Sequence, residues 1–417
     1  MSANSGSVLF LSHDASRTGA PIFLLRFLRW FGENQEIPYR VLIGGYGDLL
    51  GEFQSMGPVD LFEPEPTIFE RVLRRLNVRP RDNADHLVTL RQKLSQSNIR
   101  AIYSNTIVNG KILDFLSFLN CPIICHVHEL DSVIRYIGTD NLNLVKEHTS
   151  SYIAVSQAVK RNLVENHGIS AELIRVIHGF IPTGEDGRSK TAQSHPDVRR
   201  ELGIPNEARL VCACGSVETR KGIDLFVKVA EKVAETYKQA PVHFVWVGGR
   251  AKQVASMRKA THSKFQHKFV HFIGHRQDVS PYYDASDLFL LPSREDPFPL
   301  VMMEAALRKK AVVCFDNSGG APEFVEQDAG FVVTGFDVNK MAEKTIELLA
   351  SDELRDRMGA IARQKVLDRH DIRITAPEIS AIIQGALVMP DPAPKRMRVP
   401  PPMCAGLADI KFGLPPT

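Results

Sequence analysis

Residues 288–306 read LFLLPSREDPFPLVMMEAA, and this stretch shows how the chain folds locally. Its four leading apolar residues predict a buried strand that ends at Leu291. A polar loop with three prolines follows. Pro299 suits the first position of a helix, because the N–H group that proline lacks would have no partner there. The order of strand, loop and helix predicts one unit of a parallel α/β sheet.

The same alternation of apolar runs and helical segments recurs along the chain. The first group of runs covers residues 8–12, 39–44, 101–103, 122–126, 152–155 and 174–177, and the second covers 210–213, 242–247, 269–273, 288–291 and 311–315. A stretch rich in Gly, Ser, Thr and Asp separates the groups at residues 182–196. The pattern predicts two Rossmann-like, doubly wound parallel-sheet domains of the α/β class that face each other across a cleft.

The break between the two groups sets the expected domain boundaries. We expect a first domain at residues 1–182, a linker at 183–205, a second domain at 206–388 and a Pro-rich, flexible tail at 389–417. The last helix of the second domain could pack back on the first. In doubly wound sheets, ligands bind beyond the carboxyl ends of the strands, so polar residues that follow a strand are the first candidates for a site.

The composition excludes several classes of protein. The chain has 417 residues, of which 44% are apolar and 24% charged, as in ordinary globular proteins. Lys and Arg exceed Asp and Glu by only 51 to 48, which argues against a nucleic-acid partner. No apolar run reaches the roughly 18 residues of a membrane-spanning helix. None of the six cysteines forms a C-x-x-C pair, and no signal peptide is evident, so we expect a cytoplasmic protein.

The predicted helix after Pro299 offers an anion site. The backbone N–H groups of Leu300, Val301 and Met302 have no acceptor within such a helix. Together with the positive end of the helix dipole, they could bind a diphosphate.

Two acidic residues flank this helix start. Glu304 lies within the helix and could accept hydrogen bonds from the hydroxyls of a ribose, and Asp296 lies in the preceding loop, where it could bind sugar hydroxyls. The alternative is an acidic loop followed by a solvated glutamate, since two carboxylates at this spacing also arise by chance.

A basic pair, Arg220 and Lys221, follows the apolar run at residues 210–213 and precedes a predicted helix. Fixed cations at the end of a strand could stabilise the negative charge on a departing nucleoside diphosphate, typically by a few kcal/mol. The alternative is a turn with two solvated basic residues.

A histidine-rich segment, ICHVHEL, ends a strand of the first domain. His126 and His128 would share one side of the strand, and His128 and Glu129 would lie at the carboxyl end of the sheet. A metal site is one interpretation, but no third ligand is in view. The second is a histidine without a function, and the third is a polar contact from His128 to a substrate.

Small residues follow the first strand. Gly19 and Ala20 permit a ligand to approach the backbone closely at the start of a helix, and Asn105 follows another strand. A plain turn is the alternative for each. The segment lacks the G-x-G-x-x-G pattern of dinucleotide-binding proteins.

The segment from Arg71 to Arg81 lies in an amphipathic pattern with arginines on one face. Such a helix could lie on an anionic membrane surface. The alternative is an ordinary surface helix that packs on its own domain.

Four segments of the sequence together resemble glycosyltransferase family 4, group 1. They are PSREDPFPLVMMEA at residues 292–305, RKG at 220–222, the His-Glu pair at 128–129 and GGAPEFV at 319–325. The resemblance covers roughly residues 6–385. It implies the GT-B fold, a nucleotide diphosphate sugar as donor, and transfer with retention of anomeric configuration.

The resemblance also implies roles for individual residues. Arg220 and Lys221 would bind the donor diphosphate, and Glu304 would bind the ribose. Asp296 would contact the transferred sugar, with His128 beside it. The loop at Gly19 would face the donor phosphate and the acceptor.

The family needs no metal or other cofactor, and the sequence contains no D-x-D motif that could chelate one. Three positions depart from the family pattern. Asp296 stands where a glutamate is usual, Ser216 stands where an arginine often follows the glycine, and Thr18 precedes a single Gly19 where paired glycines are common.

We therefore expect a transferase that moves a hexosyl or deoxyhexosyl unit to a glycan or lipid-linked acceptor in surface polysaccharide or lipopolysaccharide assembly. The alternatives are a sugar-nucleotide epimerase or hydrolase of the same fold, and an inactive transferase-like scaffold. The sequence leaves open the sugar, the base, the acceptor and the oligomeric state.

Overall fold

The computed structural model describes residues 6–64, 84–184, 197–260 and 269–389. These residues form two compact units. Within the described residues, the first unit comprises 6–154, 160–177 and 376–389, and the second comprises 155–159 and 178–375. The basic segment from Arg71 to Arg81, the tail from residue 390 and most of the break at 182–196 lie outside the described residues.

The sheet of the first unit has seven parallel strands in the order β3-β2-β1-β4-β5-β6-β7. The strands are β1 (Ser7–Ser12), β2 (Tyr39–Ile43), β3 (Val59–Leu61), β4 (Ile99–Ser104), β5 (Ile123–Val127), β6 (Ser151–Ala154) and β7 (Ile174–Val176). The central strands β1 and β5 are buried along their whole length. This explains why their sequences read as continuous apolar runs instead of an alternation of apolar and polar residues.

Helices connect the strands of this unit. They are α1 (Gly19–Asn34), α2 (Leu50–Met56), α3 (Ala84–Ser95), α4 (Gly110–Phe115), α5 (Asp131–His148) and α6 (Gln157–Glu165). Phe23, Phe27 and Phe31 of α1 are spaced by four residues and therefore lie on one face. The rings of Phe27 and Phe31 lie 6.0 and 5.3 Å from the ring of Phe10 on β1, which fixes the helix on the central strand.

The second unit contains six parallel strands in the order β10-β9-β8-β11-β12-β13. The strands are β8 (Arg209–Cys214), β9 (Val242–Val247), β10 (Val270–Gly274), β11 (Leu288–Leu291), β12 (Val312–Phe315) and β13 (Gly330–Val333). The helices that follow α6 are α7 (Val198–Glu201), α8 (Ile223–Thr236), α9 (Ala251–Ala260), α10 (Ser280–Ala285), α11 (Leu300–Leu307), α12 (Ala321–Val325), α13 (Val338–Ala350), α14 (Asp352–Arg369) and α15 (Ile372–Val388). Phe226 of α8 packs against Phe244 and Trp246 of β9, with ring centroids 5.7 and 5.3 Å away.

The predicted class of fold, two Rossmann-like parallel sheets, is confirmed. Every apolar run that the sequence marks as a strand overlaps an observed strand. The sequence reasoning missed β3 and β13, which are edge strands of their sheets. None of the described helices combines the length and apolar character needed to cross a bilayer.

The strand order reverses once in each sheet. The reversal lies between β1 and β4 in the first unit and between β8 and β11 in the second. At such a point the connections leave in opposite directions, which opens a crevice at the carboxyl ends of the two strands. The candidate residues Gly19, Asn105, Lys221 and Asp296 all follow one of these four strands.

The turn after β8 and the loop after β11 touch each other at Gly222. This residue has a φ of 71°, in the left-handed region that favours glycine. A Cβ atom at this position would overlap the carbonyl oxygen of Pro292. Glycine is therefore required here by both the backbone conformation and the space.

We expect Gly222→Ala to lower the free energy of unfolding by about 3 kcal/mol, because left-handed strain and overpacking add. Gly335→Ala is the matched control, since Gly335 has a φ of 66° in the same unit but open space around its Cβ position. It should cost only about 1 kcal/mol. Urea unfolding measures both values, and equal losses would show that Pro292 does not restrict position 222.

Candidate functional site

Lys221 and Asp296 form an ion pair at the end of β8 and β11. Lys221 Nζ lies 2.5 Å from Asp296 Oδ2, and the side chains are only 16% and 6% exposed. Burial lowers the pKa of Lys221, and the carboxylate of Asp296 opposes this shift. Two side chains that the resemblance assigned to different parts of a donor are thus bound to each other in this structure.

The backbone of Asp296 is fixed on both sides by the segment that precedes α12. Its N–H group donates to Ser318 O at 2.6 Å, and its C=O group accepts from the N–H group of Gly320 at 3.1 Å. The hydroxyl of Ser293 also approaches Asp296 Oδ2 at 3.4 Å. The carboxylate therefore sits in a rigid frame at the crevice of the second sheet.

Arg220 also has an acidic partner. Its Nε donates to Glu218 Oε2 at 2.7 Å. Its backbone carbonyl accepts from the N–H groups of Arg294 and Glu295 at 2.7 and 3.1 Å, so the loop after β11 holds the basic turn in place.

Arg294 is a positioning residue that the sequence reasoning missed. Its guanidinium donates to both carboxylate oxygens of Asp224 at 2.7 Å and to the carbonyl of Thr219 at 2.8 Å. These hydrogen bonds hold the pKa of Asp224 below its usual value. The residue lies inside the motif quoted first, but its partners are at least 70 positions away, and no local pattern points to them.

The helix start differs by one residue from the prediction. Helix α11 begins at Leu300, and Pro299 precedes it with an extended backbone at φ −70° and ψ 118°. The N–H group of Met302 donates to the carbonyl of Pro299 at 3.2 Å. It is therefore not free to bind an anion, contrary to the prediction from the sequence. Leu300 and Val301 remain as the N–H groups without an acceptor inside the helix.

Glu304 lies one turn into α11 and close to the end of β8. Burial raises the pKa of Cys214 to about 12, and the negative charge of Glu304 contributes to that shift. Glu304 is therefore placed at the carboxyl edge of the second sheet, the place where the predicted ribose contact would require it.

The first unit brings Ala20, Asn105 and His128 together. Asn105 Nδ2 donates to the carbonyl of Ala20 at 2.7 Å, and Asn105 Oδ1 lies 3.1 Å from His128 Nε2. Gly19 is exposed at the start of α1, and a Cβ atom on it would meet nothing within 4 Å. The fold itself does not require glycine there, which is compatible with the predicted close approach of a ligand.

The carboxylate of Glu129 is buried and forms hydrogen bonds within the first unit. It accepts from the hydroxyl of Thr106 and from the N–H groups of Ile107 and His128, the latter two at 3.3 and 2.9 Å. Burial raises the pKa of Glu129 to about 7, against the opposing effect of these hydrogen bonds. Contact of Glu129 with a substrate stays a prediction.

His126 is fully buried next to His128. Its Nδ1 lies 2.5 Å from the hydroxyl of Tyr103, and burial lowers its pKa well below the usual value. Within the described residues, no group of three or more His, Cys, Asp or Glu side chains is arranged to hold a metal ion.

Two family models match the chain. The model described as Glycosyltransferase Family 4 matches residues 19–185, and the model described as Glycosyl transferases group 1 matches residues 194–365. Together they cover most of the chain, which belongs to the family 4, group 1 glycosyltransferases.

Two curated relatives are similar to part of the chain. A GDP-mannose-dependent monoacylated α-(1-6)-phosphatidylinositol monomannoside mannosyltransferase of Corynebacterium glutamicum is 28% identical over 217 residues, which are 49% of this chain and 55% of the relative. A D-inositol 3-phosphate glycosyltransferase of Corynebacterium urealyticum is 25% identical over 210 residues, which are 49% of each protein. The chain spans about half the length of these curated relatives.

A solved structure resembles the chain over nearly its whole length. The crystal structure of Anabaena HepE in complex with UDP and glucose superposes with a TM-score of 0.72 at 21% identity, and the match covers 91% of this chain and 99% of HepE. This likeness shows the GT-B fold.

The raised pKa of Glu129 makes stability depend on pH. Between pH 4.5 and about 7 the folded chain keeps a proton that the unfolded chain releases. The contribution of Glu129 to the free energy of unfolding should therefore fall as pH rises through this window, by up to ~1.4 kcal/mol per pH unit. Buried histidines with a lowered pKa, such as His126 and His128, contribute in the opposite direction. Urea titrations of the wild type and of a variant without this carboxyl separate the two contributions.

The variant Glu129→Gln has no proton to release, so the free energy of unfolding of the wild type, taken relative to this variant, should fall as pH rises through the window. Glu343→Gln, on the exposed face of α13, is the control and should keep the profile of the wild type. If Glu129→Gln and the wild type have the same slope, Glu129 is not the group that titrates.

Proposed function

We propose that this chain is a metal-independent, retaining glycosyltransferase. It moves a hexosyl or deoxyhexosyl unit from a nucleotide diphosphate sugar to a glycan or lipid-linked acceptor, in surface polysaccharide or lipopolysaccharide assembly. The observation that carries the proposal is the Lys221–Asp296 pair beside the start of α11, at the strand reversal of the second sheet. That place combines a cation, helix N–H groups and a carboxylate, which are the groups that a nucleotide sugar needs.

The donor diphosphate would bind where the positive charges are. Lys221 is largely buried, so its attraction for a phosphate is weakly screened by water. The N–H groups of Leu300 and Val301 and the dipole of α11 add to this attraction. In HepE the bound molecules are UDP and glucose, which supports a donor of this class.

Donor binding would rearrange the ion pair. A diphosphate carries more negative charge than Asp296 and would draw Lys221 towards itself. The carboxylate of Asp296 would then be left to accept hydrogen bonds from the hydroxyls of the sugar. The same event would prepare both ends of the donor, because one cation serves first the carboxylate and then the phosphate.

The transfer step needs charge stabilisation at the leaving group. The bond between the anomeric carbon and the phosphate oxygen breaks, and the acceptor oxygen attacks the same face of the sugar. An oxygen of the departing diphosphate takes the acceptor proton, so no nucleophile of the enzyme takes part. Lys221, Arg220 and α11 would stabilise the developing charge, which is the largest contribution in many enzymes.

The acceptor would bind mainly to the first unit. The relative from Corynebacterium glutamicum is named for an acylated, inositol-based acceptor, which supports a lipid-linked class. The proposal includes a cytoplasmic location with peripheral contact to the membrane through the segment from Arg71 to Arg81.

A screen in EDTA tests the proposal. Purified full-length protein is heated with UDP, GDP and dTDP sugars, and the matching donor should raise the melting temperature because it binds only the folded state. Release of nucleoside diphosphate should then depend on an added glycan or lipid-linked acceptor. Release without an acceptor would indicate a hydrolase, and consumption of the donor sugar without release an epimerase. No thermal shift with any nucleotide, or binding without turnover, would indicate a scaffold.

Lys221→Met should reduce turnover by about 100-fold to 1,000-fold, because the leaving diphosphate loses its buried cation. Lys232→Met on the solvent-exposed side of α8 is the matched control and should stay close to the wild type. Steady-state kinetics in EDTA measure both variants, and thermal unfolding checks that each is folded. Near-normal turnover of folded Lys221→Met would remove Lys221 from its role.

A further inference from the structure

Asn105 connects α1 to His128 in the first unit. It follows β4, and its side chain is completely buried. Its two amide atoms have different partners: Nδ2 lies 2.7 Å from the carbonyl oxygen of Ala20, and Oδ1 lies 3.1 Å from His128 Nε2. The residue therefore forms a bridge from the start of α1 to the end of β5.

The carbonyl of Ala20 fixes the orientation of this amide. A backbone carbonyl oxygen can only accept a hydrogen bond. If the amide were turned over, its oxygen would face the oxygen of Ala20, and two acceptors would oppose each other in a buried place. The nitrogen of Asn105 must therefore face Ala20, and the oxygen must face His128.

The orientation of the amide in turn determines which ring nitrogen of His128 carries the proton. Because Asn105 Oδ1 can only accept, His128 Nε2 must donate and carry the proton. In a neutral imidazole the other nitrogen is then an acceptor. We propose that Asn105 is a positioning residue that holds His128 with its proton on Nε2, so that Nδ1 is presented as an acceptor to a hydroxyl group of a substrate.

The surroundings keep the imidazole neutral and in place. Phe23 and His126 pack against it, with ring centroids 4.7 and 4.4 Å away. Burial lowers the pKa of His128 to about 3, and the neighbouring His13 acts in the same direction. The ring therefore stays neutral at physiological pH, and Nδ1 keeps its lone pair.

The other titratable groups around His128 do not change this conclusion. His13 has a lowered pKa owing to its burial and lies 3.4 Å from Asp14, and His126 is held by Tyr103. Glu129 accepts the backbone N–H group of His128, not the ring. Among the described residues, no group forms a hydrogen bond with His128 Nδ1.

The proposal has a consequence for specificity and rests on the proposed function. A hydroxyl of a substrate can donate to Nδ1, whereas a carboxylate at the same place would oppose its lone pair. Substrates with a hydroxyl at this position should therefore bind in preference to those with a carboxylate there.

Nitrogen NMR of the unliganded, full-length protein with 15N-labelled histidine tests the proposal without any donor. His128→Gln identifies the resonances of His128. In the wild type, Nε2 should resonate as a protonated nitrogen and Nδ1 as a bare one. In Asn105→Ala this single pattern should be lost, and both nitrogens should move towards intermediate values.

Asn105→Asp gives a second readout. A carboxylate at this position should raise the pKa of His128 by about one to three units, so the ring should take its second proton at a correspondingly higher pH than in the wild type. Asn109→Ala is the matched control, because Asn109 is equally buried but donates to Ser104 at 3.0 Å instead of contacting His128. It should leave the resonances of His128 unchanged.

Three results would overturn the proposal: a proton on Nδ1 in the wild type, an unchanged pattern in Asn105→Ala, or the same titration in Asn105→Asp. The resonances of His148 and His167, elsewhere in the first unit, show whether that unit is folded in each variant. An inactive enzyme would refute the proposed function but leave the state of this histidine measurable, so the two failures are distinguishable.

Discussion

The parallel direction of every strand is the constraint on which the rest of the structure depends. A parallel strand can only be reached by a crossover, so each strand is followed by a connection that starts at the same edge of its sheet. In each sheet, the loops with candidate residues therefore lie at the carboxyl ends of the strands. Where the strand order reverses, the connections lead away in opposite directions, and this is the usual place for a ligand. Lys221 and Asp296 lie 75 positions apart in sequence and meet because they follow neighbouring strands.

The sequence was sufficient to predict the strands that are buried on both faces, because short, continuous apolar runs that alternate with helical segments are typical of such strands. It was not sufficient for β3, where the buried Asp60 interrupts the run and is neutralised by Arg40 and Lys93. The candidate residues that follow strands were selected in the same way, from their position at the end of an apolar run. The partners of Lys221 and Arg294 could not, because pairing across 70 or more residues is decided by the packing of the sheet and leaves no local pattern.

Three cations in the loops after β8 and β11 each have a carboxylate partner. Lys221 lies against Asp296, Arg220 against Glu218 and Arg294 against Asp224. A buried cation without a partner would be costly, and a carboxylate close by removes that cost. The arrangement also means that a polyanion must compete with protein carboxylates for each cation. Under the proposed function, this competition would favour a ligand with several negative charges, because a single charge gains little by replacing another.

The contact between Gly222 and Pro292 joins two loops that are separate in sequence. A side chain at position 222 would displace the loop that carries Pro292, since a Cβ atom there would overlap the carbonyl oxygen of Pro292. Engineering of this crevice, for example by grafting loops from a homologous enzyme, would therefore have to exchange both segments as a matched set. The two loops would have to be exchanged together, although some 70 residues lie between them in the sequence.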